Sequence, residues 1–322
     1  MKKQLKKAFF ISPGPRNMRD VLKLFFKGLA MGGADIIPGV SGGTIALITG
    51  IYEDLLAAIK SFDIETLRLF FTGKFAAALS RIHIRFIFSV FLGVSVAIVS
   101  LARLMNYLLT NHPVHTWSLF FGLIAASVFA VGRRVESFFR MPFLFFIAGT
   151  ASAWFFVSMI PVKTPTAHWF IFLSGFIAIC AMILPGISGA FILLILGKYA
   201  YITSALKNPF NIENMLVIIV FCAGCAAGIT LFARILKWLL NKWRNGTLAF
   251  LTGLLAGSLR KIWPWKETLE TVTIRNKEYI LKEINVFPET FNTSVLLALG
   301  LALTGFMAIC LMEYFSGTPD SD

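Results

Sequence analysis

The chain has 322 residues, 57% of them hydrophobic and only 14% charged, with a mean hydropathy of +0.78. Soluble domains carry about 25% charged residues, so a water-exposed globular fold is excluded and a polytopic helical membrane protein is implied. The net charge of +14 does not point to nucleic acid, because Lys and Arg gather in the N-terminal arm and in the loops between apolar stretches, the pattern of the positive-inside rule and of attraction to anionic lipid.

In chain order, residues 1–27 form a basic arm whose apolar patch at 9–11 is too short for a cleaved signal peptide. A first repeat spans 28–162. It opens with a hairpin at 28–60, interrupted by Pro38-Gly39-Val40-Ser41-Gly42-Gly43. A linker at 61–85 follows, with a turn at Thr72-Gly73-Lys74, and then apolar stretches at 86–105, 117–131 and 143–160. A second repeat spans 163–313. Its hairpin, 168–206, is interrupted by Pro185-Gly186-Ile187-Ser188-Gly189-Ala190, and its apolar stretches are 215–236, 248–262 and 294–311. Each stretch approaches the roughly 20 residues a spanning helix needs. An external insertion at 264–290 alternates around Thr271–Ile274 and Glu278–Leu281, which predicts a small β-hairpin. A short tail, 314–322, ends the chain.

A shift of 147 aligns the two motifs, with 11 identities in the 23 positions from Pro38 to Lys60. A shift of 131 then pairs Gly93 with Gly224, Arg103 with Arg234, and Gly122-Leu123 with Gly253-Leu254. The third span of each half matches only weakly. Each half thus reads as a broken, re-entrant hairpin plus three transmembrane helices. Three is odd, so the second half enters the membrane the other way round, which predicts two inverted-topology repeats. With the N-terminus cytoplasmic, 19 Lys and Arg fall in inner segments and 9 in outer ones, 6 of those within 260–282.

Pro and Gly at those breaks leave backbone N–H groups without intrahelical partners, at a depth where water cannot supply them. Free N–H donors, nearby hydroxyls and the positive end of the next half-helix together make an anion site. The candidates are Gly39, Ser41, Gly42, Gly43 and Thr44 in the first copy, and Gly186, Ser188 and Gly189 in the second. Tight small-residue packing is the competing reading of these glycines. Arg103 and Arg234, duplicated and late in apolar spans, suit bidentate phosphate binding, with snorkelling to the interface as the alternative. They are expected at opposite faces. Asp35, whose repeat partner is Met182, and Glu53 are candidates for proton coupling; helix capping or interfacial exposure is the plain reading of Glu53. Cys222 and Cys225 have no second pair nearby, and all four cysteines read as packing residues, with no disulfide, metal or other cofactor implied. No phosphate-binding loop or Ser-His-Asp set is present, so neither a primary pump nor a hydrolase is suggested.

The doubled motif, Ile37-Pro38-Gly39-Val40-Ser41-Gly42-Gly43-Thr44 with Leu184-Pro185-Gly186-Ile187-Ser188-Gly189, resembles the bacterial and archaeal polyprenyl-phosphate transporter family, PopT-like, formerly domain of unknown function 368. The likeness covers about residues 19–311. It implies a non-enzymatic flippase of the bacterial cytoplasmic membrane, returning undecaprenyl phosphate from the outer to the inner leaflet for reuse in cell-envelope synthesis. The implied partners are that lipid and the surrounding membrane lipids, and a homo-oligomer stays open. Two other classes stay open as well: a channel or carrier for a small anion or solute, and a membrane lipid-phosphate phosphatase.

Overall fold

Asn17 starts the first described helix, α1 (Met18–Asp35), with Asp20 in its first turn. Acidic residues favour a helix N-terminus. Val21, Leu24, Phe25, Gly28, Met31 and Gly32 recur at helical spacing along its inner side. The boundary expected at residue 28 therefore falls inside a helix that begins ten residues earlier. The structure is a computed structural model, and it describes residues 12–36, 41–159, 164–274 and 277–316.

After the first break come two short helices, α2 (Gly42–Ile48) and α3 (Tyr52–Lys60), bent 117° from each other. The corresponding bend in the second half is 110°, between α10 (Gly189–Ile195) and α11 (Tyr199–Lys207), which follow α9 (His168–Ile183). Gly50 and Gly197 are repeat partners at these bends, with φ of 75° and 61°. Only glycine adopts that left-handed conformation without a steric cost. Between the hairpins lie α4 (Ile64–Phe71) and α5 (Phe75–Arg81), joined by the expected turn at Thr72–Lys74, and then α6 (Ile84–Asn111), α7 (Pro113–Gly132) and α8 (Met141–Val157). After the second hairpin come α12 (Ile212–Lys242), α13 (Arg244–Ile262) and α14 (Thr293–Ser316).

Among the described residues, α6, α7, α12 and α14 are long and apolar enough to cross a membrane, and the bent pairs raise the number of candidate spans to six. The chain is a multi-pass membrane protein. Large apolar side chains such as Phe88, Phe91, Val99, Phe155, Leu296 and Leu303 point outward, as lipid-facing residues do. By contrast, α13 is enclosed by protein, with Leu251, Leu254 and Leu255 almost wholly buried. Its 19 residues span about 28 Å, close to the roughly 30 Å of a bilayer core. Arg244 at its start pairs with Glu53 at 3.0 Å; we call that end the arm face. The far end carries the insertion.

The insertion is an antiparallel pair, β1 (Lys266–Ile274) and β2 (Lys277–Asn285), with Thr271 opposite Ile280 and a bulge near Glu270. The all-α description thus holds only outside 264–290. The hairpin base is tied down by Trp263 Nε1 donating to Val286 O at 2.8 Å and Asn285 Nδ2 donating to Arg260 O at 2.8 Å. Lys261 and Lys266 both reach Glu283 Oε1, at 2.8 and 2.9 Å. We call this end the hairpin face.

Among the described residues, four helix pairs pack backbone to backbone. A Cβ on Gly28 would collide with Val90 O of α6, and one on Gly93 with Phe25 O of α1. The repeat partners do the same in the second half, where Gly175 meets Phe221 O and Gly224 meets Phe172 O. The other two pairs cross between halves. Gly253 of α13 lies on Phe146 O of α8, and Gly149 of α8 on Phe250 O of α13. Gly122 of α7 lies on Ala302 O of α14, and Gly305 of α14 on Leu119 O of α7. The last two pairs correspond through a shift of 156 in the third span.

Gly122→Leu is expected to destabilise the protein by about 1–3 kcal/mol through overpacking, whereas Gly300, with nothing within 4 Å of an added Cβ, tolerates Ala. Thermal unfolding in detergent checks both. At the hairpin base, burial raises the Glu283 pKa, but the Lys261 and Lys266 ammonium groups more than offset it and hold the carboxyl below its ordinary value. Its contribution is therefore complete above about pH 4.3, the free glutamate value, and is lost as pH falls through the lowered folded value. Tryptophan fluorescence from Trp263 and Trp265 should report loosening over that acid range, and Glu283→Gln should remove the pH dependence.

Candidate functional site

Pro185 stops α9, and the last carbonyls of a stopped helix have no intrahelical partners. The first hairpin supplies those partners. Ser41 Oγ donates to Met182 O at 2.9 Å, and Tyr52 OH donates to Ile183 O at 3.0 Å. In return, Gly186 N donates to Thr44 Oγ1 at 3.0 Å. Ser41, Thr44 and Tyr52 are each at most 2% exposed, so the two breaks form one buried polar contact inside an apolar protein.

At the start of α2, Ser41 caps the helix by accepting from Gly43 N at 3.1 Å, and Asp35 Oδ1 accepts from Gly42 N at 2.6 Å. The carboxylate thus takes the helix N-terminus, the place the sequence suggests for an external anion. Gly43 is required by close approach, since a Cβ there would lie 2.6 Å from the backbone Ile183 O; a Cβ on Gly42 would lie 2.6 Å from Asp35 Oδ2 and would displace that carboxylate. Pro38 and Gly39 lie outside the described residues.

The second motif is not a copy of this arrangement. Ser188, the partner of Ser41, makes no side-chain capping bond. Tyr199, the partner of Tyr52, is 43% exposed. Ala190 stands where the first copy has Gly43, and Met182 where it has Asp35. Gly189 packs on α9, where a Cβ would lie 2.6 Å from Ala178 O. Gly186, at φ 84°, sits close to Leu254 O and Ser258 Oγ of α13.

Cations hold the far end of the first half-helix. Lys27 Nζ donates to Thr49 O at 2.7 Å, while Arg134 Nη1 and Nη2 donate to Leu47 O and Ile48 O, each at 3.0 Å. Positive charge is favourable at a helix C-terminus. In the second half a hydroxyl does this work: Thr164 Oγ1 donates to Leu196 O at 2.5 Å, and Lys198 Nζ to Thr164 O at 2.8 Å. Lys27 and Arg134 were not among the sequence candidates. Lys27 falls within α1, and that is the signal that marks it.

The structure gathers Asp35, Ser41, Gly42, Gly43, Thr44, Gly186, Ser188 and Gly189 around the two breaks. It does not bring Arg103, Arg234 or Glu53 to them. Arg103 is exposed on α6, about 27 Å along the helix from Arg85. Arg234 lies on α12 within electrostatic reach of Asp63, whose carboxyl is held low chiefly by the Thr66 N–H it caps. The Arg234 Nε is buried without a hydrogen-bond partner among the described residues. Glu53 is spent on the exposed Arg244 pair. The cysteines are unbridged, and Cys180 and Cys225 lie between α9 and α12 with their thiols near Gly228 O and Gly175 O.

The sequence profile of the undecaprenyl phosphate translocase-like family matches residues 31–280. The chain belongs to this family. A polyprenyl-phosphate transporter of Vibrio cholerae serotype O1 is 41% identical over 302 residues, covering 92% of this chain and 97% of the relative. One from Staphylococcus aureus is 31% identical over 253 residues, covering 74% and 84%. No solved structure matches. These relatives are named as transporters, so the undecaprenyl phosphate translocase-like family is one of transporters rather than enzymes. Its matched region takes in both breaks and the helices that enclose them.

Tyr52→Phe leaves Ile183 O unsatisfied in the buried contact, which costs about 1–3 kcal/mol. Tyr199→Phe is expected to be neutral. Paired thermal melts of the two variants test the inequality of the motifs.

Proposed function

We propose that the chain carries polyprenyl phosphate, specifically undecaprenyl phosphate, from the outer to the cytoplasmic leaflet of the bacterial cytoplasmic membrane, by alternating access between two inverted repeats. The observation that carries this reading is the buried contact between the broken helices, taken with the substrate named for both relatives. Two hairpins entering from opposite faces fit the other contacts. The first turns back beside Arg134 and Arg244 at the arm face. In the second, the chain before α9 is bonded to the end of α10 through Thr164, and Phe191 of α10 lies 5.3 Å from Lys261 Nζ at the hairpin face. The arm face is then cytoplasmic, a reading its excess of basic loops supports.

The unequal motifs supply two states. With Ser41 and Tyr52 bonded to Met182 and Ile183, the contact is closed on one side. The reciprocal set, Ser188 to Asp35 O and Tyr199 to Ile36 O, closes the other side after the first has opened. Ala190 keeps the reciprocal approach looser than the one through Gly43, so the two states differ in stability. The phosphate headgroup passes between the half-helices on N–H groups near Ser41 and Ser188, with Arg103 and Arg234 receiving it at opposite faces. Asp35 and a phosphate compete for the Gly42 N–H, since two anions do not share one helix N-terminus. Protonation of Asp35 therefore accompanies headgroup binding and couples transport to protons.

The test is leaflet-to-leaflet movement of labelled undecaprenyl phosphate in proteoliposomes. Wild-type protein is expected to move it, and unphosphorylated polyprenol is not. Asp35→Asn should lower the rate about tenfold or more and flatten its pH dependence. Gly43→Ala should weaken the closed contact by about 1–3 kcal/mol and slow turnover without unfolding the protein. Flux of inorganic phosphate with no movement of lipid phosphate would replace the flippase with a small-anion carrier.

A further inference from the structure

An apolar groove runs along α8. It has a volume of about 400 Å³ and is lined by Phe146, Ile147, Thr150, Ala151 and Trp154. Phe146, Thr150 and Trp154 recur every four residues, so they lie along one face of the helix. The small pair, Thr150 and Ala151, makes a notch between bulkier neighbours. The Thr150 hydroxyl is turned back onto Phe146 O at 2.9 Å, so the notch offers no free donor. Ile147 is 46% exposed and Trp154 53%, and the groove lies open to the lipid side.

Its head is charged. The Arg260 guanidinium stacks 4.1 Å above the Trp154 ring, and its Nη1 donates to Ser158 Oγ at 2.6 Å. Asn285 fixes the backbone of the same residue through its carbonyl. Among the described residues no carboxylate pairs with Arg260; nearby Glu283 is already shared by Lys261 and Lys266. A guanidinium has five N–H donors, so Arg260 keeps most of its fork available to a planar or tetrahedral anion. An apolar channel headed by a guanidinium that has no carboxylate partner among the described residues is complementary to an amphiphile with a phosphate head. The channel is a single row on one helix, which fits one chain rather than the two of a bulk phospholipid.

We propose that this groove is the loading subsite for the transported lipid at the hairpin face, with the first part of the polyprenyl chain along Phe146–Trp154 and the phosphate on Arg260. The proposal rests on the lipid-phosphate reading above. It places substrate capture on the outside of the bundle, before the headgroup turns in toward the breaks.

The test uses full-length protein in liposomes and a polyprenyl phosphate carrying a photoactivatable group near its head. Labelling is expected within residues 141–157. Arg260→Gln should cut that labelling and raise KM for transport about tenfold, equivalent to about 1.4 kcal/mol, with kcat kept. Arg260→Lys should restore part of the loss. Ala151→Trp, which fills the notch, should also raise KM, and Gly300→Ala, outside the groove with nothing within 4 Å of an added Cβ, should not. A photoactivatable polyprenol should label wild type and Arg260→Gln alike. Equal labelling by a two-chain anionic phospholipid that displaces the polyprenyl probe would assign the groove to bulk lipid and overturn the proposal. Unchanged KM in both Arg260→Gln and Ala151→Trp, in a protein that still moves lipid phosphate, would also overturn it. Failure of wild type to move lipid phosphate strikes the transporter reading instead, and the labelling pattern still decides the groove.

Discussion

Inside a bilayer a backbone that stops being helical must find new hydrogen-bond partners within the protein. This chain meets that constraint by setting its two interruptions against each other. The carbonyls that α9 abandons at Met182 and Ile183 are taken by hydroxyls of the first hairpin, and Thr44 of that hairpin accepts from Gly186 of the second. The close glycine contacts then follow, because hydroxyl and carbonyl can meet only if the half-helix lies nearly on the end of α9. The cations at the other end of α2 are a further consequence: a seven-residue helix has few internal bonds, and Lys27 and Arg134 bind the carbonyls it leaves over.

The asymmetry is as informative as the contact. A duplicated sequence does not have to produce duplicated bonds, and here single replacements separate the copies. Met182 for Asp35 removes the internal carboxylate from the second motif. Ala190 for Gly43 prevents an equally close approach. In the proposed transport cycle this inequality gives the two states different energies.

Much of this was legible in the sequence. The doubled motif, the turn at Thr72–Lys74, the β-hairpin and four of the spanning stretches, those of α6, α7, α12 and α14, all rest on local signals: helix breakers, alternation and run length. What was not legible depends on packing. The third span of the repeat was nearly invisible in aligned identities, because lipid-facing positions accept any apolar residue. It becomes clear in Gly149 and Gly305, which make the same contact. The start of α1 lies earlier than the sequence alone suggests, since basic residues on a helix's outer side look like an unstructured arm. Lys27 and Arg134 escaped notice because their partners are backbone carbonyls, which carry no residue identity. Arg103 and Arg234 drew attention through duplication, a signal that marks shared ancestry and says nothing of distance to the breaks.

The crossed helix pairs bear on how the protein is made. Helix α8 belongs to the first half but packs on α13 of the second, and α7 likewise packs on α14. Synthesis runs from the N-terminus, so α7 and α8 reach the membrane well before their partners exist. During that interval the carbonyls and glycines of their packing faces rest against lipid, and the first half cannot mature as a unit. The fold is completed only when α14, the last helix described, closes onto α7. A truncated chain is therefore expected to lack a stable partial product, and a split one to need both pieces in the same membrane.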